Sequence, residues 1–242
     1  MAVILIVFLL AGMVKGIIGV GLPTIAMGLL TLTMSPTTAA GVLIIPSLVT
    51  NIWQLICGPA FLSLVKRFWS LFAGIIIGTL WGGLPTLTSS SSWTGAAIGL
   101  ILVLYGIWGI LAKKLPQPGR HEVWLSPLAG YVTGAIAAAT GVFVIPAVPY
   151  LQCLGLNKHD LVQSLGLAFT VSTIGLAIQL AQGIGLSGID LGISCFALLP
   201  AILGMVIGQR LRHRISEKTF RQCFFAGLMT LGGYMFIPFA AG

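Results

Sequence analysis

Six apolar stretches follow one another along the chain, at about 38–58, 68–87, 93–112, 161–182, 190–209 and 219–239. Each has about the 20 residues that a helix needs to cross the hydrocarbon core of a bilayer. Almost nothing polar separates them: of 242 residues, 7% are charged and 57% are hydrophobic. A water-soluble domain carries about 25% charged residues. Lipid is therefore the solvent for most of this surface, and helices satisfy the backbone polar groups within it. The longest polar stretch, Lys113 to Glu122, is a linker of ten residues and too short for a soluble domain. The net charge of +8 reads as a determinant of orientation, not as a sign of a nucleic-acid partner. The N-terminus is apolar at once, without the positive region of a signal peptide, and is not expected to be one. Cys57, Cys153, Cys195 and Cys223 form no CxxC pair and read as small buried apolar side chains.

Boundary signals agree with these spans. Ser35-Pro36, Ser92 and Asn157 are placed to cap helix starts. Trp53, Trp69, Trp93, Trp108 and Trp124 fall near span ends, where amphipathic rings anchor at the interface. Two further apolar stretches, 2–33 and 124–153, are too long for one span and are interrupted. The first interruption runs from Lys15 to Pro23; the second runs from Gly134 to Gly141, with Pro146 and Pro149 after it. The flanking pieces, about 10–13 residues each, reach about 15–20 Å at the helical rise and so about the middle of a membrane. Such lengths predict a re-entrant hairpin or a broken helix.

The chain also repeats. Leu10 to Ile18 aligns with Leu128 to Ile136, six of nine positions being identical at an offset of 118. Each interruption is followed by a short turn and three apolar spans. The expected fold is an all-α polytopic membrane protein of two repeats, 1–115 and 122–242, joined in a single transmembrane domain. Each repeat is a re-entrant or broken helical hairpin plus three transmembrane helices. Charge decides their relative orientation. If each broken element crosses once, Lys66, Arg67, Lys113, Lys114 and Arg120 fall opposite Lys158, Arg210, Arg212, Arg214, Lys218 and Arg221. That arrangement has no bias, contrary to the positive-inside rule. If each returns to the side it entered from, all eleven fall on one side and the repeats are inverted. This reading puts the basic loops in the cytoplasm and both termini outside, in the inner (cytoplasmic) membrane of a cell.

Inverted repeats with interrupted helices place transporter sites near the midplane, where helix ends offer unpaired N–H groups and a positive dipole end. Two such tips meeting form an anion cradle. Lys15 is the one Lys or Arg outside loops and span ends, and no Asp or Glu lies in the apolar elements to pair with it. A charge at a helix centre costs at least about 2.5–3.5 kcal/mol. Its partner is a bound anion or backbone carbonyls, unless the side chain snorkels to an interface. The substrate-binding candidates of the first repeat are Lys15, Gly16, Gly19, Gly21, Asn51 and Gln54. Those of the second are Thr133 (the equivalent of Lys15), Gly134, Thr140, Gly141, Gln163, Ser164 and Thr173, with Thr170 on the same span. Any of the polar residues alone also serves to hold helices together. The pairs Gly12/Gly16 and Gly130/Gly134 fit close helix packing as well as a site. His121 and His213 read as solvated, and His159-Asp160 as a capping turn. No catalytic residue, metal site or cofactor is expected. The expected partners are a small anion and the lipid bilayer, and a homo-oligomer is compatible with both.

The residues Gly12 to Pro23, Gly130 to Pro146, Thr38-Ala39-Ala40 and Asp160-Leu161-Val162, set in two four-element repeats, resemble the TauE/SafE family of sulfite exporters and anion permeases. The resemblance covers nearly the whole chain. It implies transport of small sulfur-containing anions such as sulfite or organosulfonates. The residues themselves suggest an anion and leave three readings: an alternating-access carrier, an anion-selective channel, and a non-transporting membrane subunit of a complex.

Overall fold

The computed structural model describes residues 1–56, 58–89, 93–111, 116–185, 190–212, 214 and 216–240, without the side chains of 217, 218 and 237–240. The readings of Cys57, Ser92, Lys113, Lys114 and His213 lie outside the described residues. Within them the chain is helical: α1 (Ala2–Ile18), α2 (Leu22–Leu30), α3 (Pro36–Ile56), α4 (Phe61–Trp81), α5 (Thr94–Leu111), α6 (Glu122–Thr140), α7 (Ala147–Cys153), α8 (Lys158–Ile184), α9 (Leu191–Leu211) and α10 (Glu217–Ala240). Six segments are long and apolar enough to cross a membrane: α3, α4, α5, the segment ending in α6, α8 and α9. Their outer faces carry exposed Ile77, Leu104, Leu199 and Leu203, as contact with lipid allows.

Glycine sets both interruptions, and sets them later than the sequence suggests. Helix α1 ends at Gly19, which holds φ 87° and caps the Lys15 carbonyl. Gly21, at φ 112°, then opens α2 with Pro23 in its first turn. Helix α6 ends at Gly141, at φ 70°. L-residues rarely adopt these left-handed angles. The breaks are thus confined to 19–21 and 141–146. Lys15, Gly16 and Gly134 lie inside continuous helices instead. Helices α1 and α6 have 17 and 19 residues, not 10–13, and each extends about 25–29 Å.

Helix α4 is also displaced from the expected 68–87. It begins at Phe61, bends at Phe68 and stops at Trp81, where Gly82, Gly83 and Pro85 follow. Lys66 and Arg67 are therefore helical and not in a loop. Both lie in the first two turns of α4, and Arg67 is held by a two-pronged ion pair with Glu122 (2.8 and 2.9 Å). The expected caps form: the Asp160 N–H donates to Asn157 Oδ1 (2.8 Å), and the Thr38 N–H donates to Ser35 Oγ (3.2 Å). Cys195 and Cys223 are exposed and not buried. A lipid-facing surface is as apolar as the interior, so composition alone does not separate the two.

Two glycine seams lock the bundle. A Cβ on Gly12 would collide with the Ala201 carbonyl, one on Gly16 with that of Met205, and one on Gly208 with that of Met13. The second seam repeats the first: Gly130 lies against the Leu71 carbonyl, Gly134 against that of Ile75, and Gly78 against that of Tyr131. Helices α1 and α9 therefore run parallel in backbone contact, and so do α6 and α4. Such small-residue faces are the close-packing device of membrane helices. Helices α3 and α8 cross antiparallel, with Ser47 bonded to Thr173 and Gln54 to the Val162 carbonyl. Helices α5 and α10 are antiparallel too: Gly99 faces Gly232 and Met235, whereas Gly106 faces Phe225 and Met229. Arg67, Arg120, Lys158 and Arg212 all lie at one end of the bundle, joined by the Arg67–Glu122 pair, by Gln117 against Gly155, and by a cavity between Lys158 and Arg212.

Candidate functional site

Ser47, Thr50, Asn51 and Gln54 fall at positions i, i+3, i+4 and i+7 of α3, so they share one face. That face looks inward: the first three are fully buried and Gln54 nearly so. Pro46 lies inside the same helix and has no N–H to give the Val42 carbonyl. Ser194 of α9 donates to that carbonyl (2.9 Å) and accepts the Ile45 N–H (3.1 Å), fixing α3 against the other half of the chain.

Lys15 reaches this face from α1. Its side chain is 3% exposed, so it does not snorkel to an interface. Its Nζ donates to Thr50 Oγ1 (3.1 Å) and to Asn51 Oδ1. Both acceptors are fixed in that role. The Thr50 hydroxyl spends its proton on the Pro46 carbonyl (2.7 Å), and the Asn51 amide points its Nδ2 at Ser47 Oγ (3.1 Å) and Thr173 Oγ1 (3.4 Å). The column continues to Gln54, whose Nε2 donates to the carbonyls of Gly19 (2.9 Å) and Val162 (3.2 Å). Gln54 Oε1 has no partner among the described residues. Gln54 borders a cavity of about 150 Å³ that is also lined by Gly58, Lys158, His159, Val162 and Arg212. A cationic vestibule thus opens at the basic end of the bundle, one turn of α3 beyond Lys15's partners.

Of the residues singled out from sequence, the structure brings together Lys15, Asn51, Gln54, Thr173 and the Gly19 carbonyl. Gly21 adjoins the break without joining the column. Gly16 and Gly134 lie in the packing seams. Thr133 bonds within its own helix, to the Ala129 carbonyl (2.7 Å). Thr140 bonds to that of Ile136 (2.7 Å) and accepts the Val142 N–H (3.2 Å), which caps the second break beside Gly141. Gln163 is fully occupied by the turn between α3 and α4: it accepts the Ala60 N–H and donates to the Leu55 and Gly58 carbonyls. Ser164 is buried, and its hydroxyl has no partner among the described residues.

Sequence reasoning missed Thr50 and Ser47, which the i, i+3, i+4, i+7 spacing on α3 announces. It also missed Gln179, whose Nε2 donates to the Ala138 carbonyl at the second break (3.3 Å) and whose Oε1 is unpartnered. Gly141 of the second break lies against Met27 of α2, the helix that returns from the first break. Gln54 ties the first break to Val162 of α8, whereas Gln179 ties the second break to a point 17 residues further along that helix, about 25 Å away.

The buried Lys15 amino group has neutral oxygens around it and, among the described residues, no acid. Of the four carboxylates, Glu122 pairs with Arg67, Asp160 accepts from Asn157 and Asp190 caps α9, all at helix ends. The side chain of Glu217 is not described. The model of the sulfite exporter TauE/SafE family matches residues 4–235. The chain belongs to that family. No curated protein and no solved structure gives a significant match. Membership joins a transporter family to a chain with six span-length apolar helices, so this TauE/SafE protein is a multi-pass membrane protein.

Proposed function

We propose that this TauE/SafE protein is a secondary transporter of small sulfur-containing anions such as sulfite or organosulfonates. Lys15 holds the anion, and two inverted halves, 1–115 and 122–242, alternate its access to the two faces of the membrane. The observation that carries this reading is the Lys15 amino group, buried against Thr50 and Asn51 without a carboxylate among the described residues. Its charged form is costly in such a place, and an anion removes the cost. Lys158, His159 and Arg212 would gather the anion at the vestibule, and Gln54 separates them from the cluster. The inverted arrangement is supported by the antiparallel crossing of α3 with α8 and of α5 with α10, the spans that correspond in the two halves. Corresponding helices that cross antiparallel are related by an axis in the membrane plane. The gathering of basic residues at one end favours that end as cytoplasmic.

The test is flux of radiolabelled sulfite into proteoliposomes. Saturable uptake with counterflow is expected from the wild type, and Lys15→Ala abolishes it. Uptake undiminished by that substitution removes Lys15 from the site; an ohmic, non-saturating current in place of counterflow refutes the carrier.

A further inference from the structure

The cluster around Lys15 supplies two acceptors and no more. An ammonium has three N–H groups, whereas a neutral amine has two. Thr50 Oγ1 and Asn51 Oδ1 satisfy two donors, and Lys15 has no third partner among the described residues. Neither acceptor can turn into a donor without breaking the Thr50–Pro46 or the Asn51–Ser47 bond. The empty cluster therefore fits a neutral amine in its donor count and in its charge. The loaded cluster fits an ammonium whose third N–H points at the anion.

We propose that Lys15 carries one proton with each anion, so that the protein couples anion movement to a proton gradient. This rests on the reading of Lys15 as the anion site. On binding, the amine lone pair takes a proton from water as the anion arrives, giving an ammonium–anion pair. On release, the N–H bond breaks and the proton leaves with the anion. A singly charged anion then crosses without net charge. No other group in contact with Lys15 competes for this role. Helices α2 and α3 have no titratable side chain. On α9 and α10, Cys195, Arg210, Cys223 and Tyr234 are exposed and Arg221 is half-buried, and the side chains of Glu217 and Lys218 are not described. His159, Asp160 and Lys158 lie at the start of α8, toward the basic end, where Gln54 stands between them and the cluster.

The test is ¹⁵Nζ NMR of lysine-labelled protein at mildly alkaline pH, where surface lysines, with pKa about 10.4, stay charged. One lysine signal is expected at the neutral-amine position, moving to the ammonium position as sulfite saturates. Its loss in Lys15→Arg assigns it, and so does a chain in which Lys66, Lys113, Lys114, Lys158 and Lys218 are all arginine. Arginine keeps its charge and releases no proton. In Lys15→Arg the protons taken up per bound alkanesulfonate, an anion without a titrating group of its own, fall from one to zero at whatever affinity remains. In the wild type that affinity falls about tenfold per pH unit once the empty amine is neutral. A Lys15 signal that is charged in both states, or neutral in both, overturns the coupling while leaving an anion site. Absence of any sulfite or sulfonate binding by the wild type refutes the transport reading itself.

Discussion

The Lys15–Asn51 contact is open to a double-mutant cycle, because each partner has a nearly isosteric apolar replacement. Asn51→Leu removes one of the two bonds made by the buried Lys15 amine. With no anion bound that amine is neutral on the proposed reading, and a neutral bond contributes about 0.5–1.5 kcal/mol, so a loss of that size is expected. Ser47 and Thr173 keep each other (3.1 Å), so the lost Nδ2 leaves no second orphan there. Lys15→Met strands Asn51 Oδ1, at about 1–3 kcal/mol for an unpaired buried group. The double substitution strands neither and replaces a buried polar pair by matched apolar groups, an exchange that is often neutral or stabilising. The two effects should therefore fail to add by about 0.5–3 kcal/mol, with the double variant more stable than the sum. Unfolding in detergent, followed by tryptophan fluorescence against temperature and against added denaturant, reads all four chains. Additivity within about 0.5 kcal/mol would refute the contact, since residues that do not touch behave that way. Lys15 would then lie elsewhere, and the transport reading would lose its principal support.

Gly208→Leu should destabilise by about 1–3 kcal/mol or more, because the new side chain meets the Met13 carbonyl with no room to yield. Gly95→Ala, which has open space around it, should be neutral or stabilising by up to about 1 kcal/mol, and equal thermal midpoints for the two would sink the seam. In a background without native cysteines, Ser35→Cys should react with an impermeant thiol reagent on intact cells, and His159→Cys only after permeabilisation. These residues occupy the equivalent turns of the two repeats, so equal reactivity of both would show parallel repeats.

Chain length and charge made the helical membrane class legible, and the cap at Asn157 was readable from its own side chain. The positions of the breaks were not. Gly16, Gly19, Gly134 and Gly141 look alike in sequence. Two of them admit a neighbouring backbone and two hold left-handed angles, and that difference comes from the partner helix α9 or α4, far away in the chain. Thr50 was overlooked because a threonine in a membrane helix ordinarily bonds its own preceding turn. Thr50 does that as well, and its importance comes from an ammonium 35 positions earlier. Gln163 misled for the opposite reason. A glutamine in a span suggests a path, yet its three bonds close the turn between α3 and α4. The start of α4 was hidden because Lys66-Arg67 resembles a loop until the Glu122 partner from α6 is placed beside it.

On the proposed reading, the contacts suggest which joins give way. At the glycine seams backbone lies on backbone, tying α1 to α9 and α6 to α4, and Ser194 in turn bonds α9 to α3. The joins between α1 and α3, and between α6 and α8, are instead hydrogen bonds that water or an anion can replace: Lys15 to Asn51, Gln54 to Gly19, and Gln179 to Ala138. On the proposed reading, an anion coming from the vestibule reaches Lys15 by displacing the Gln54 bond. One leaving the other way passes Ser47 and Thr173 and displaces the bond of Gln179. Each glutamine has an oxygen at its post without a partner among the described residues. The two posts are about 25 Å apart along α8, close to the full thickness of the hydrocarbon. On the proposed reading both faces share Lys15, whose equivalent in the second half is the uncharged Thr133.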